Sequence, residues 1–240
     1  MRSPRGMTLL EVMVTVAILA MTTALVYGSL SITLSSQANV RRVTDRYHAG
    51  RVALMKISHD LTCAFLSKHV SVLEKNRETL FIGKSDEVTF TYLGHYTFEV
   101  KDEPTSDQGV VTYELGYKDG QKVLLRREKT VIDDQPDKGG VEEVLAEGVK
   151  DIEFEYYDEE QEDWTDDWKA EMNDMDPVIT DKTLEKQVNT AKVLSGQAVD
   201  DPEFMLPKRV RIKLILEDSE GEEYTFQTET YLPLRYPFNW

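Results

Sequence analysis

The chain has 240 residues, of which 40% are hydrophobic and 9% aromatic, a composition that supports a folded core and excludes global disorder. The formal net charge of −16 is unevenly distributed, because residues 1–60 carry seven Lys or Arg against three Asp or Glu, whereas residues 61–240 carry 21 against 41. A part this acidic would repel a phosphate backbone, which excludes nucleic acid as its expected partner.

The chain begins with a short basic segment and a long apolar one. Arg2 and Arg5 precede a stretch from Met7 to Val40 in which the only charged residue is Glu11. The apolar run that follows Glu11 is long enough, at roughly 20 residues, to cross a bilayer as a helix. The arginines before it predict a single-pass protein with a cytoplasmic N-terminus and the rest of the chain outside the cytoplasm.

Glu11 is unusual because it lies at the start of this apolar stretch. A carboxylate inside a membrane helix costs about 2–3 kcal/mol on translocon scales, so it requires a partner. A cut after Gly6 would create an α-amino group on Met7, and that cation of one subunit could pair with Glu11 of its neighbour away from water. Hydration of Glu11 at the headgroup level is the simpler alternative. An ordinary cleavable signal and a plain signal anchor are also open at this point.

The segment from Gly6 to Val12, GMTLLEV, resembles the class III signal of type IV pilins and pseudopilins. The resemblance implies that a prepilin peptidase cuts after Gly6 and methylates the new N-terminus, Met7, where the family usually has phenylalanine. It also implies a leader at residues 1–6, a transmembrane helix at 7–34 in the inner membrane and a periplasmic pilin-like domain at 35–240.

Beyond the membrane segment, a stripe of apolar or small residues continues at alternating spacings of three and four, which is typical of one face of a helix. No proline lies between Arg5 and Pro104, so the spacing predicts a single helix from Met7 to Phe65, with an amphipathic second half that serves as a spine for a β-domain. Gly28 and Gly50 are its weak points. The stripe consists of Val40, Val43, Tyr47, Gly50, Leu54, Ile57, Leu61 and Ala64.

From residue 79 the hydrophobic period changes to two, which predicts strands. Asp119-Gly120 and the turn Asp218 to Gly221 are typical of the connections in hairpins. The fold class is therefore α+β, a long helix packed on antiparallel sheet. The predicted strands are Thr79–Ile82, Glu87–Leu93, Tyr96–Val100, Val110–Tyr117, Gln121–Lys129, Glu143–Leu145, Asp151–Tyr157, Arg209–Leu216 and Glu223–Tyr231.

Residues 158–208 read as an irregular segment that opens with seven acidic residues in ten. The spacing of Trp164 and Trp168 suggests a short helical turn. A calcium site here is a minor alternative, because the spacing is not that of an EF-hand and the central glycine is missing. Its ligands would be Asp158, Glu160, Asp163, Asp166 and Asp167.

No other pattern indicates chemistry. The single cysteine, Cys63, cannot form an intramolecular disulfide and fits a small apolar residue packed on a helix. The four histidines lack metal-ligand spacing, and there is no phosphate loop or nucleophile elbow. We therefore expect no enzyme activity, cofactor or metal. The histidines are His48, His59, His69 and His95.

Three β-segments behind the leader, Val111–Arg126, Leu145–Asp158 and Leu206–Leu214, resemble the J-type minor pseudopilins of type II secretion. The resemblance implies a complex with I- and K-type minor pseudopilins at the tip of a fibre of major pseudopilin, which starts fibre assembly for the export of folded proteins. The inner-membrane assembly platform and an ATPase would supply the work. Two alternatives stay open: a minor pilin of a type IV pilus or DNA-uptake fibre, and a membrane-tethered ligand-binding domain.

Overall fold

One long helix is followed by antiparallel strands, as the hydrophobic periods predict. The computed structural model describes residues 7–67, 79–94, 107–133, 135–136, 138–159, 161–171 and 205–238. Within them, helix α1 spans Leu9–Thr62 and ten strands follow it. Backbone contacts divide the chain into two units, residues 1–47 and 48–240.

Helix α1 ends at Thr62, three residues before the predicted end at Phe65. The cause is a competing strand partner. Ala64 forms a β-bridge with Tyr92, and the Phe65 N–H donates to the carbonyl of Thr91 at 3.1 Å. The chain therefore leaves the helix as soon as it can pair with the first sheet.

The first sheet has the strand order β5-β4-β3-β2-β1-β8. Its central hairpin, between β3 and β4, turns at Asp119 and Gly120, both with positive φ, as expected of an Asp-Gly turn. The strands are β1 Leu80–Gly83, β2 Val88–Leu93, β3 Gln108–Lys118, β4 Gln121–Lys129, β5 Val141–Glu147 and β8 Trp168–Glu171.

The second sheet has the strand order β10-β9-β6-β7. Strand β9 alternates as the sequence predicts, with Val210, Ile212, Leu214 and Leu216 fully buried and basic residues on the opposite face. The strands are β6 Val149–Asp158, β7 Asp163–Thr165, β9 Arg209–Glu217 and β10 Glu223–Tyr231.

One continuous core joins both sheets to the last turns of the helix. Ala53, Ile57 and Leu61 of the helix are fully buried, together with Phe81 of the first sheet and Tyr156 of the second. The Phe81 and Tyr156 rings meet edge to face with their centroids 5.9 Å apart. The predicted spine is therefore confirmed from Gly50 onward, because that is where the stripe becomes buried.

Part of the segment predicted to be irregular is strand. Strand β7 pairs with β6, and β8 pairs with β1, so the prediction was wrong for Asp163–Thr165 and Trp168–Glu171. The local sequence is acidic and has no clear period, and the pairing comes from distant strands that a sequence window does not contain. The predicted strand Tyr96–Val100 lies outside the described residues.

Candidate functional site

Two of the three residues predicted for processing and assembly, Met7 and Glu11, lie at the N-terminal end of α1. Gly6 lies outside the described residues. Met7 precedes the helix and is 66% exposed, and Glu11 is exposed in its first turn. No side chain among the described residues pairs with the Glu11 carboxylate, so it is accessible to a group from outside the chain.

Thr8 begins the helix as its N-cap, a role that the sequence reasoning did not assign. Its hydroxyl accepts a hydrogen bond from the Glu11 N–H at 3.3 Å, and its carbonyl accepts from the Val12 N–H at 3.2 Å. Thr8 and Glu11 have the spacing of a capping box. The segment that resembles a prepilin signal therefore also contains the signal that starts the helix.

The apolar half of α1 has the surface of a membrane helix. An 18-residue window reaches a mean hydropathy of 2.2, and none of that window is buried. Leu10, Ile18 and Leu25 are 75%, 58% and 65% exposed. Each such side chain gains about 1.5–3 kcal/mol on leaving water, so lipid is the solvent that suits this surface.

Threonine hydroxyls in the same segment are satisfied by the helix itself. The Thr15 hydroxyl donates to the carbonyl of Glu11 at 2.8 Å, and the Thr23 hydroxyl donates to the carbonyl of Leu19 at 2.7 Å. Thr33 makes the same kind of bond to Ser29 at 2.9 Å. Because hydrocarbon offers no hydrogen-bond partners, this internal pairing is what a lipid-facing hydroxyl requires.

A second site, which sequence reasoning missed, is a buried ion pair between the other end of α1 and the first sheet. Asp60 is 1% exposed, and Arg126 of β4 is 4% exposed. The Arg126 Nε and Nη2 atoms lie 2.9 and 2.8 Å from Asp60 Oδ2, and the Tyr113 hydroxyl donates to the same oxygen at 2.7 Å. The helix is thereby tied to strands β3 and β4.

The same guanidinium continues the network toward the surface. Arg126 Nη1 lies 2.5 Å from Glu128 Oε2, and Nη2 donates to the Tyr92 hydroxyl at 3.2 Å. The Tyr92 hydroxyl in turn donates to Glu128. At the rim, Lys56 Nζ lies 3.3 Å from Asp60 Oδ1. We name Asp60, Tyr92, Tyr113, Arg126 and Glu128 the buried polar cluster.

Electrostatics hold the two tyrosines and the arginine of the buried polar cluster in one protonation state. Burial raises the pKa of Tyr113 far above its usual 10, and the Asp60 charge raises it further. Burial and the bond to Glu128 likewise raise the pKa of Tyr92. Burial lowers the pKa of Arg126, but the hydrogen bond to Glu128 and the Asp60 charge outweigh this and raise it. Neutral tyrosines and a charged arginine persist at any physiological pH.

A sequence signal for Asp60 exists, although it is weak. Asp60 lies three residues after Ile57 and directly before Leu61, so it falls on the buried side of the helix. An acidic residue there requires a buried cation. The cation is 66 residues away along the chain, and no local pattern identifies it.

The two tryptophans of the acidic segment anchor it, although not as a helical turn. Trp164 lies on β7, with the Arg211 guanidinium 3.9 Å from its ring centroid. Trp168 lies on β8 and donates its Nε1–H to the Met205 carbonyl at 2.9 Å. The helical prediction was wrong because pairing with β6 and β1 fixes both residues in extended conformation.

The residues considered for metal binding do not converge in the described part of the chain. There, no group of three or more His, Cys, Asp or Glu side chains is placed to hold a metal ion. Glu160, His69 and His95 lie outside the described residues. Cys63 follows the end of the helix and packs against the core, as a small apolar residue would.

Comparison with known families matches two models that together cover most of the chain. Residues 1–27 match the prokaryotic N-terminal methylation motif, and residues 28–227 match the type II secretion system protein J. A search of curated proteins finds no match. The J model begins where the methylation motif ends and extends through both sheets into β10. The chain therefore belongs to the type II secretion system protein J family, the J-type minor pseudopilins, and is a membrane-anchored single-pass protein.

Proposed function

We propose that the chain is a subunit of the pseudopilus tip, which joins I- and K-type minor pseudopilins and starts assembly of the fibre of major pseudopilin. In this role α1 holds the subunit in the inner membrane with its N-terminus in the cytoplasm. The acidic β-domain works in the periplasm. The chain supplies surfaces and a membrane anchor, and the assembly platform and an ATPase supply the work.

The observation that carries this proposal is the direct succession of two features. A methylation motif at residues 1–27 leads without a gap into a J-type domain at 28–227. The helix joins them physically, because α1 runs without a break from Leu9 to Thr62. A helix that only tethered an unrelated domain to the membrane would not need the methylation motif.

Processing at Gly6 prepares the N-terminus for assembly in this proposal. Cleavage there leaves the Met7 amino group beside the Thr8 cap, at the positive end of the helix dipole, where a cation is unfavourable. A carboxylate from another subunit would offset the unfavourable interaction between the amino group and the helix dipole. Glu11 of that subunit is suitable because it is exposed in its own chain. We therefore propose Gly6 and Met7 as processing residues and Glu11 as the assembly residue.

The test is co-purification of the full-length chain with I- and K-type pseudopilins of the same system. All three are co-expressed and extracted in mild detergent, and only the J-type chain is tagged. The proposal expects a complex that contains all three subunits. Recovery of an I–K pair that excludes this chain, while the chain itself is folded and inserted, contradicts the proposal.

A bulky residue in place of Gly6 tests the processing step separately. If a prepilin peptidase cuts at this position, the Gly6→Leu chain stays six residues longer and the wild-type chain does not. A wild-type chain that also keeps residues 1–6 would exclude Gly6 as the cleavage site.

A further inference from the structure

Strand β10 forms one edge of the second sheet, and this edge is long and regular. It pairs with β9 over nine residue pairs without a register shift. Its sequence, EYTFQTETY, is rich in threonine and aromatic residues, which favour strands. It contains no proline or lysine, the residues with which natural edges commonly prevent further pairing.

The hydrogen-bond register determines which backbone groups of β10 point away from the sheet. Asp218 N–H donates to the Glu222 carbonyl at 3.0 Å, and Leu232 N–H donates to the Lys208 carbonyl at 3.1 Å. Both pairs lie in the register of β9 and β10, and hydrogen-bonded pairs alternate along antiparallel strands. The even-numbered residues of β10 therefore direct their N–H and C=O groups at β9, and the odd-numbered ones direct them outward.

The outward set is accessible. All five residues are exposed, and no backbone hydrogen bond from the described residues reaches their outward groups. The N–H and C=O groups at alternate positions therefore form a ladder with no strand beside it in the described part of the chain. We name this set the β10 edge; it consists of Glu223, Thr225, Gln227, Glu229 and Tyr231.

The other three edges of the described sheets are protected. Strand β7 has three residues and β8 has four, too few for a stable added strand. Strand β5 carries Glu142, Glu143 and Glu147, and its pairing with β4 is interrupted by a register shift at Leu124 and Leu125. Short strands, charges and bulges are the usual protections of sheet edges. Strand β10 has none of these protections, because it is long and free of bulges and its charged side chains are paired within the chain.

The charges on the β10 edge are neutralised within the chain. Glu223 pairs with Lys150, and Glu229 pairs with Arg211 at 3.0 Å and Arg209 at 3.3 Å. The remaining outward residues, Thr225, Gln227 and Tyr231, carry no charge. An approaching strand therefore meets hydroxyl and amide groups, with no uncompensated carboxylate to repel it.

We infer that the β10 edge is a strand-addition site for an extended segment of another pseudopilin, which hydrogen-bonds to the outward backbone groups of β10. Such addition gains affinity from main-chain bonds and specificity from alternate side chains. The added strand would place apolar residues beside the half-buried Phe226 and Tyr224 on the inner face. Its other side chains, beside Thr225 and Gln227, would be uncharged and polar. The inference rests on the proposed function, because it assumes a fibre of pilin-like subunits.

Net charge favours a different chain over a second copy of this one. Residues 61–240 carry 21 basic and 41 acidic residues, so two copies of this domain repel each other strongly at low ionic strength. A neutral or less acidic partner does not meet this repulsion. The occupant is therefore expected to be a strand from a less acidic pseudopilin domain.

The test measures amide hydrogen exchange, residue by residue, in the full-length chain alone and in the complex with co-expressed I- and K-type pseudopilins. Amides of the outward ladder, such as those of Thr225, Gln227 and Glu229, should exchange at least about tenfold more slowly in the complex. Amides that point at β9, such as that of Thr228, should be slow in both samples. This pattern needs no substitution and so does not depend on how a variant folds.

Gln227→Pro and Gln227→Thr form a matched pair of variants. Proline removes one outward N–H and leaves the bonds to β9 intact, which an edge strand tolerates, whereas threonine keeps the N–H. We expect Gln227→Pro to weaken the complex about tenfold and Gln227→Thr to change it less than about twofold. Thermal unfolding of each free chain checks that both variants fold.

The outcomes separate this inference from the proposed function. A complex in which the outward amides stay unprotected overturns strand addition and leaves the tip role intact. Protection that appears in the chain alone as its concentration rises identifies a second copy as the occupant and also overturns the inference. Failure of any complex to form overturns both proposals. Alternating protection that is lost in Gln227→Pro supports strand addition.

Discussion

Helix α1 has a carboxylate near each end, and the two differ in burial and in their partners. Near the C-terminal end, Asp60 is buried and bonded to Arg126 and Tyr113 of the same chain. Near the N-terminal end, Glu11 is exposed, and no side chain among the described residues pairs with it. The two carboxylates of the helix therefore have different roles. Asp60 stabilises the fold, and in the proposed function Glu11 pairs with the amino group of another subunit.

The apolar side chains differ in the same way. From Gly50 onward the helix buries a stripe against two sheets, whereas the described residues up to Val40 expose their large apolar side chains. The part from Gly50 onward has its apolar stripe buried within the chain, so it is stable in water. The part up to Val40 can bury its apolar side chains only in lipid or against other helices.

Replacing Glu11 should have the largest effect on function. Glu11→Ala removes a carboxylate from a membrane helix, so insertion should be unchanged or improved. It should also leave the amino group of a neighbouring subunit unpaired, and secretion should fall by at least about tenfold. The measurement is the amount of exoprotein in the medium, with membrane-fraction blots as the control. Normal secretion by an inserted Glu11→Ala chain would contradict the ion-pair account.

Replacing Arg126 should have the largest effect on stability. Arg126→Met leaves Asp60 and Glu128 without their shared cation, which should lower the free energy of unfolding by about 3–5 kcal/mol. Lys56→Met is the matched control, because Lys56 contacts the same Asp60 from a 40% exposed position. It should cost less than about 1 kcal/mol. Urea unfolding of the full chain in detergent measures both, and equal losses would show that burial is not the source of the effect.

The two helix glycines should respond differently to the same substitution. A Cβ at Gly50 would lie 2.5 Å from the ring of Phe226, whereas a Cβ at Gly28 would have no neighbour within 4 Å. Gly50→Ala should therefore cost about 1–3 kcal/mol, and Gly28→Ala should be neutral or gain up to about 1 kcal/mol of helix stability. Thermal unfolding of both variants measures this. A loss at Gly28 that matches the loss at Gly50 would contradict the division of the helix.

The exposed ion pair between Glu159 and Lys208 should contribute least to the free energy of unfolding. The hydrogen bond from Lys208 lowers the pKa of Glu159 below its usual 4.5 and outweighs a slight desolvation, and Arg235 lowers it further. Because the folded pKa is lowered, the contribution is present above pH 4.5 and is lost as the pH falls through the folded value. Glu159→Gln should cost less than about 1 kcal/mol at pH 7. Unfolding at pH 7 and pH 3 should show this difference shrinking, and a constant difference would exclude the charge as its cause.

The sequence predicted features that depend on short-range chemistry. The absence of proline and the stripe spacing predicted a helix whose end lies only three residues beyond the observed one, and Asp119-Gly120 predicted the β3–β4 turn. The alternation in Val210 to Leu216 predicted the buried face of β9. Each of these depends on neighbours within a few residues.

Features that depend on distant partners were missed. Asp60 finds its cation 66 residues away, and Trp168 reaches Met205, so no sequence window contains both members of either pair. Strands β7 and β8 form because their backbones pair with β6 and β1. This pairing outweighs the acidic composition of the segment, which disfavours strand. The sheet order, and with it the β10 edge, follows from the same long-range pairing.

The mass of the mature N-terminus shows whether the chain is processed as a prepilin. The full-length chain is purified from the membrane of its secreting host, and its N-terminal peptide is measured by mass spectrometry. We expect a chain that begins at Met7 with one methyl group on its amino nitrogen. A chain that still carries Arg2 and Arg5, or one cut far downstream of Gly6 as an ordinary secretory signal would be, would contradict processing as a prepilin.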